Sequence, residues 1–283
     1  MKSNSISRIP LPTGIGEVLS PRVYTVAPIA LIYFFVWSQL QGKKADGQAS
    51  RWSPANLIAY LGTASVVALV YFEARPEWIV MAWSLVALVL MSASLLLKKE
   101  VFLHQTELLA VGVVVRALAH NIYGASYFTA TGWRGSIGVL SATAALMLLA
   151  LPLAFRLRKM FAGEDGPRAV WMLALRRPEQ MFFFAPAVIT AFVIAVKMHP
   201  GVVTLAWGLE GLLMILVGLV ASERSYRLAG LGLLSLCVGK IVARDAWRLQ
   251  ERDRYITFIV LGAALTLVSA LYGRYRETVR RLL

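Results

Sequence analysis

Six ionisable side chains stand inside or directly beside long apolar stretches of the sequence, where a charge is costly enough to suggest a role. They are Glu210, Arg116, Lys240, His120, Asp245 and Arg254. Moving a charged group into membrane hydrocarbon is unfavourable, so such residues are candidates for binding a solute or for coupling to an ion. Carboxylate, guanidinium and ammonium groups at similar depth could form a proton or anion pathway. They could equally form a buried ion pair that fixes how helices dock.

The rarity of embedded acids separates these two interpretations. Only Glu210 lies near the middle of an apolar stretch, whereas a proton-driven pump would be expected to carry a row of such carboxyl groups. Arg116 lies near the middle of another stretch, with His120 about one helical turn further along. Together with Lys240 these side chains could meet Glu210 in a polar seam. We favour the ion pair that fixes docking over a pathway for protons or anions.

Other kinds of reactive site find little support in the sequence. Haem ligation needs two histidines facing each other at one depth, and only His120 with His199 meets that condition. A zinc site would need a third ligand near them, and none is evident. The single cysteine, Cys237, excludes a disulfide within the chain. We predict no catalytic residue, no metal and no cofactor.

The elements that must position these residues are membrane helices. The 283 residues are 58% hydrophobic with a mean hydropathy of +0.66, too few polar residues to coat a water-soluble globule. The apolar runs do not alternate as the strands of a membrane barrel would. We predict an all-α integral membrane protein surrounded by the lipid bilayer, with about nine spans near residues 23–40, 55–73, 78–97, 101–123, 135–155, 180–197, 201–221, 228–246 and 255–273.

The net charge of +14 is spread over the junctions between spans and forms no basic domain, so nucleic acid is not an expected partner. The junctions on the side of the N-terminus carry ten basic residues, and those on the opposite side carry seventeen. Basic residues are retained on the cytoplasmic face. We therefore predict a multi-pass protein of the bacterial inner membrane, with its N-terminus outside and its C-terminus in the cytoplasm.

An internal repeat organises the chain. "RPEWIVMAWSLVALVLM" (75–91) aligns without a gap to "HPGVVTLAWGLEGLLMI" (199–215), an offset of 124 residues. The same offset carries Arg116 onto Lys240, so that "RALAHNIY" corresponds to "KIVARDAW". A register kept this long predicts two copies of a four-helix unit. Because four is even, both copies cross the membrane in the same direction and should be related by an approximate twofold axis along its normal.

The predicted organisation follows from that repeat. An extramembranous tail comes first, then a leading helix with its loop, the first four-helix repeat, a cytoplasmic linker, the second repeat and a cytoplasmic tail. These parts occupy residues 1–22, 23–54, 55–156, 157–179, 180–275 and 276–283 in turn.

The block that begins "RLAGLGLLSLCVGKIVARDAW" (227–277) resembles the C-terminal part of a known family. That family, domain of unknown function 2339, consists of uncharacterised bacterial multipass membrane proteins. The resemblance rests on a lysine, an aspartate, an arginine, a small polar residue with an aromatic one, and a glycine, here Lys240, Asp245, Arg254, Thr257 with Phe258, and Gly262. It implies a membrane fold and no established activity.

A large apolar surface with little embedded polarity offers partners an area to bind and offers solutes few polar contacts. We therefore predict a structural or accessory role, as a subunit or scaffold that docks on other membrane proteins. One alternative is a transporter of a lipid-like or small anionic solute, with Glu210, Arg116 and Lys240 at a site between the repeats. The least favoured is a membrane-bound transferase on a lipid-linked substrate, with His199 and Asp245 at the outer face.

Overall fold

The computed structural model describes residues 20–42, 54–122, 133–161, 177–198 and 200–241, together with single positions between 255 and 270. Every element with defined bounds in these ranges is helical. A π-helical turn, Ala117–Ile122, continues α4. The α-helices are α1 (Pro21–Gly42), α2 (Pro54–Glu73), α3 (Ile79–Leu97), α4 (Glu100–Arg116), α5 (Trp133–Leu149), α6 (Leu151–Phe161), α7 (Pro178–Lys197), α8 (Pro200–Val220) and α9 (Arg224–Lys240).

Local sequence explains where several helices begin and end. A proline is the first residue of four of them, a position where the missing backbone N–H is not needed. Lys98 ends α3 in the left-handed conformation with φ 54°, which turns the chain sharply before α4 begins at Glu100. Between such breaks the residues are mostly apolar, and each helix satisfies its own backbone hydrogen bonds inside a bilayer. The four prolines are Pro21, Pro54, Pro178 and Pro200.

Seven helices among the described residues are long and apolar enough to cross a membrane. The predicted helical, multi-pass membrane fold is therefore confirmed, and the predicted count of nine is approximate. The eighth predicted span corresponds to α9, which has 17 residues. The ninth, 255–273, falls where only single positions are described. The seven are Pro21–Leu40, Pro54–Glu73, Ile79–Leu97, Glu100–Ile122, Ile137–Phe161, Pro178–Lys197 and Val202–Val220.

The chain divides into two compact units, and the first comprises Met1–Asn121 with Ala130–Pro186. Its core brings α1, α2, α3 and α4 together around aromatic and small side chains. The rings of Trp37 on α1 and Phe102 on α4 meet edge to face, with their centroids 4.9 Å apart. Gly62 lets α2 approach α1, because a Cβ there would lie 3.2 Å from the ring of Phe34. Small residues at a crossing are how helices gain contact area in a membrane.

The second unit comprises Ile122–Thr129 with Ala187–Leu283, and its described centre is the hairpin of α8 and α9. These helices meet at two glycines. A Cβ on Gly230 would lie 2.5 Å from the carbonyl oxygen of Gly211 and 2.7 Å from Ile215, so neither helix has room for a larger side chain there. Leu234 and Cys237 complete the buried cluster beside this crossing. The hairpin is thus fixed by close backbone contact.

Several local features recur in the structure at an offset of 124 residues. The bounds of α2 and α7 differ by this number at both ends, and so do those of α4 and α9. The two non-glycine residues with positive φ among those described, Lys98 and Ser222, are also 124 apart. Just after each of them a backbone amide bonds back across the turn, Lys99 to Ser94 and Glu223 to Gly218. These pairs of features are what a duplicated helical hairpin would produce.

Candidate functional site

Arg116 is the last residue of α4, and its side chain fastens that helix end to the chain before α3. Its Nη2 donates to the carbonyl oxygen of Pro76 at 3.4 Å, and its guanidinium lies 5.1 Å from the centroid of the Tyr71 ring. This cation–π contact and the hydrogen bond hold the guanidinium where α4 passes into the π-helical turn. The Nε of Arg116 has no hydrogen-bond partner within the described part of the chain.

Lys240 occupies the corresponding end of α9 and makes a comparable attachment. Its Nζ donates to the Oγ1 of Thr204 on α8 at 2.6 Å, and Thr204 is buried. A charge-assisted hydrogen bond of this length compensates part of the cost of keeping an ammonium group near the hydrocarbon. Arg116 therefore ties the end of α4 to α2 and the turn before α3, and Lys240 ties the end of α9 to α8.

Glu210 lies near the middle of α8 and is half-buried. Its Oε2 has no hydrogen-bond partner among the residues the structure describes. Glu210 belongs to the second unit and Arg116 to the first. The predicted pairing of Glu210 with Arg116 or Lys240 stays a prediction.

The remaining predicted residues contribute less to a described site. His120 is exposed in the π-helical turn, while its neighbour Asn121 is buried and donates to the carbonyl oxygen of Glu77 at 3.0 Å. This bond ties the π-helical turn after α4 to the turn before α3. Asp245 and Arg254 lie outside the described residues, as does His199.

A buried polar cluster in the first unit, formed by His104, Glu107, Arg158 and Glu179, is the main feature that sequence reasoning missed. It joins α4, α6 and α7 at one end of these helices. The Nη1 of Arg158 donates to the Oε1 of Glu179 at 2.9 Å, and the Glu179 side chain is fully buried. On α4, the Nδ1 of His104 lies 3.8 Å from the Oε2 of Glu107, one helical turn away. That separation is too long for a hydrogen bond.

Glu107 is the least satisfied member of the polar cluster. Only 4% of its side chain is exposed, and neither of its carboxyl oxygens has a hydrogen-bond partner within the described ranges. Both ring nitrogens of His104 are also buried and have no hydrogen-bond partner within the described ranges. Glu179 lies close enough to Glu107 for the two carboxyl groups to interact electrostatically. Buried polar atoms left unsatisfied each cost about 1–3 kcal/mol, which marks this position as a candidate site.

Arg227 is a second buried charge that the sequence pattern placed at the cytoplasmic surface. It lies in the first turn of α9, and only 3% of the residue is exposed. Its aliphatic stem fills the space beside Gly218, where a Cβ would lie 2.7 Å from the Arg227 Cγ. The span predicted to begin at residue 228 thus starts one turn earlier, because the α8–α9 contact covers this arginine.

A signal for the polar cluster was present in the sequence. His104 and Glu107 stand three residues apart on an apolar helix, the spacing at which two side chains share a helix face. Arg158 and Glu179 are 21 residues apart across the linker, so only tertiary structure brings them together. Within the described residues, no group of three or more His, Cys, Asp or Glu side chains is placed to hold a metal ion.

Comparison with known proteins gives one informative result. The family model described as "Predicted membrane protein (DUF2339)" matches residues 20–275. The similarity therefore extends far beyond the C-terminal block that suggested it. The comparisons with curated proteins and with solved structures gave no significant match.

Proposed function

The chain belongs to the DUF2339 family of predicted membrane proteins, and from that premise we propose that it is a structural or accessory subunit that docks on other membrane proteins. The partner we expect is a transmembrane helix of another membrane protein. The observation that carries the proposal is the surface of α1. Only Ala30 and Trp37 are buried among the α1 residues whose burial is described, whereas Leu31 and Phe35 are 69% and 63% exposed. A helix that gives so little of its surface to its own chain has most of it left for lipid or for a partner.

The embedded charges agree with this role. Arg116, Lys240 and the Arg158–Glu179 pair are each bound to groups of the same chain, where they hold helix ends in place. Polar contacts made within the chain stabilise the arrangement of its helices. Glu107 and Glu210 each keep at least one buried carboxyl oxygen inside a span without a hydrogen-bond partner among the described residues.

Photo-cross-linking in native membranes tests the docking surface. A benzophenone amino acid at Phe35 should give a discrete cross-linked protein species, because this side chain points away from its own unit. The matched control is the same substitution at Trp37, which is 6% exposed on the same helix and should cross-link only within the chain. Recovery of lipid adducts alone at Phe35 would contradict the docking role.

A transporter is the second candidate, and the half-buried Glu210 favours it. A carboxyl group near the middle of a span with an unpartnered oxygen is the arrangement expected of a coupling residue. The proposed solute is lipid-like or a small anion, taken at a site between the two repeats. Uptake of labelled small anions into liposomes that contain the purified protein tests this candidate. A Glu210→Gln variant should then lose uptake while Glu77→Gln, at an exposed turn residue, keeps it.

A further inference from the structure

The polar cluster of His104, Glu107, Arg158 and Glu179 carries an inference that goes beyond docking and does not depend on it. Arg158 and Glu179 neutralise each other at 2.9 Å. Glu107 lacks a partner of this kind, since its ion pair is with His104 at 3.8 Å, which is charged only when protonated. With a neutral imidazole the Glu107 carboxylate therefore has no counter-charge among the ion pairs of the described residues. A carboxylate this buried needs a positive charge or hydrogen-bond donors beside it.

We propose that His104 and Glu107 form a binding site for a small monovalent cation of the ammonium type. Three atoms of the pair can accept hydrogen bonds, namely the two Glu107 oxygens and one ring nitrogen of a neutral His104. Both Glu107 oxygens and both His104 nitrogens are buried and unpartnered among the described residues. An ammonium group brings the positive charge together with N–H donors that can satisfy these acceptors. A bound ammonium group would thus supply both the counter-charge and the hydrogen-bond donors that Glu107 lacks.

The donor set argues against the common metal ions. Calcium takes six to eight oxygen ligands and magnesium requires near-octahedral coordination, whereas this pair offers two oxygens and one nitrogen. The described residues also hold no cluster of three or more potential metal-ligating side chains. An ammonium ion needs only hydrogen-bond acceptors and a negative charge, which is what the pair provides.

The four side chains of the cluster differ in how far they are covered. Glu107 and Glu179 are 4% and 0% exposed, whereas the side chains of His104 and Arg158 are 16% and 33% exposed. The acceptors are therefore covered, and the two nitrogen-bearing side chains reach the surface.

Thermal unfolding of the full chain in lipid nanodiscs tests the site directly. Methylammonium chloride is the probe, with tetramethylammonium chloride and sodium chloride at the same ionic strength as comparisons. Methylammonium should raise the midpoint temperature in a saturable way, because a ligand that binds only the native state stabilises it. Tetramethylammonium has the same charge but no N–H group, so it should not. An equal response to all three salts, or a larger one to sodium, would overturn the proposal.

Single-residue variants show whether the stabilisation by methylammonium arises at Glu107. Glu107→Gln keeps the size of the side chain and should weaken methylammonium binding at least about tenfold, the loss expected for a charged hydrogen bond. Glu210→Gln, the corresponding change at the other embedded carboxyl, should leave it unchanged and separates this site from the transport candidate. Should Glu107→Gln fail to assemble, His104→Asn leaves the carboxylate in place and should weaken binding severalfold. An unaltered response in His104→Asn would then contradict the assignment, as would the lack of a saturable response in the unmodified protein.

Discussion

The indole Nε1 of Trp83 donates to the backbone carbonyl oxygen of Val67 at 3.2 Å, which fastens α3 to α2 across their turn. The same bond occurs 124 residues further on, where Trp207 donates to Ala191 at 3.0 Å. Residues that lie 124 positions apart in the sequence thus make equivalent hydrogen bonds in the structure. We propose on this basis that α2–α4 and α7–α9 derive from a duplicated unit, as the sequence repeat predicts.

Replacing either tryptophan with phenylalanine should therefore have similar effects. Trp83→Phe and Trp207→Phe each keep most of the apolar area but lose one part-buried hydrogen bond from the indole N–H to a carbonyl oxygen of the preceding helix. We expect each to lower the free energy of unfolding by about 1 kcal/mol, as measured by thermal unfolding in nanodiscs. Trp78→Phe, at an exposed indole, is the control and should be near neutral. A clear loss at Trp83 with none at Trp207 would count against equivalent roles.

The crossing of α8 and α9 allows a second test with a control on the same helix. Gly230→Ala places a Cβ 2.5 Å from the backbone oxygen of Gly211, and because backbone cannot swing aside, the helices must move apart. We expect a loss of about 1–3 kcal/mol in the free energy of unfolding. Gly232→Ala, two residues on, meets no atom within 4 Å and should be neutral or slightly stabilising, since alanine is the better helix former. Equal melting temperatures for the two variants would show that this crossing is looser than described.

Hydropathy predicted the spans well because a bilayer admits few solutions for a chain of this composition. The span predicted at 55–73 corresponds to α2 (Pro54–Glu73), and that predicted at 180–197 corresponds to α7 (Pro178–Lys197). Each must satisfy its backbone internally, and prolines mark where it begins. The alignment around Trp83 and Trp207 likewise needed no structure, because it is a property of the sequence alone.

The polar cluster was harder to predict from the sequence than the spans were. Glu107 stands inside a predicted span, but the sequence gave no sign that it lies near Arg158 and Glu179. Arg158 and Glu179 were counted with the cytoplasmic linker and its borders, where charges are ordinarily solvated. Their pairing at 2.9 Å depends on how α6 and α7 pack, which hydropathy does not encode. The bond from Lys240 to Thr204 is equally a tertiary contact between residues 36 positions apart.

The Arg158–Glu179 pair should contribute to stability through the burial of its carboxylate. Glu179→Gln removes the carboxylate that the partly exposed Arg158 guanidinium contacts, and Arg158→Met removes that guanidinium from a fully buried carboxylate. We expect Arg158→Met to be the more damaging, by about 2–4 kcal/mol against about 1–2 kcal/mol for Glu179→Gln, since the charge that remains is better solvated in the second case. Unfolding of both variants in nanodiscs measures the difference, with Glu77→Gln as an exposed control. A larger loss of unfolding free energy for Glu179→Gln than for Arg158→Met would show that Arg158 is the more desolvated partner.

The distribution of basic residues predicts the orientation, and two described turns allow it to be tested without disturbing a span. Glu77, before α3, should face the outside, and Ser222, between α8 and α9, should face the cytoplasm; both are exposed. Single Glu77→Cys and Ser222→Cys variants differ in reactivity only through access, because the native Cys237 is fully buried and should stay unlabelled. An impermeant maleimide applied to intact spheroplasts should label Glu77→Cys at once and Ser222→Cys only after the membrane is opened. The opposite pattern would invert the predicted topology and place the larger group of basic residues outside.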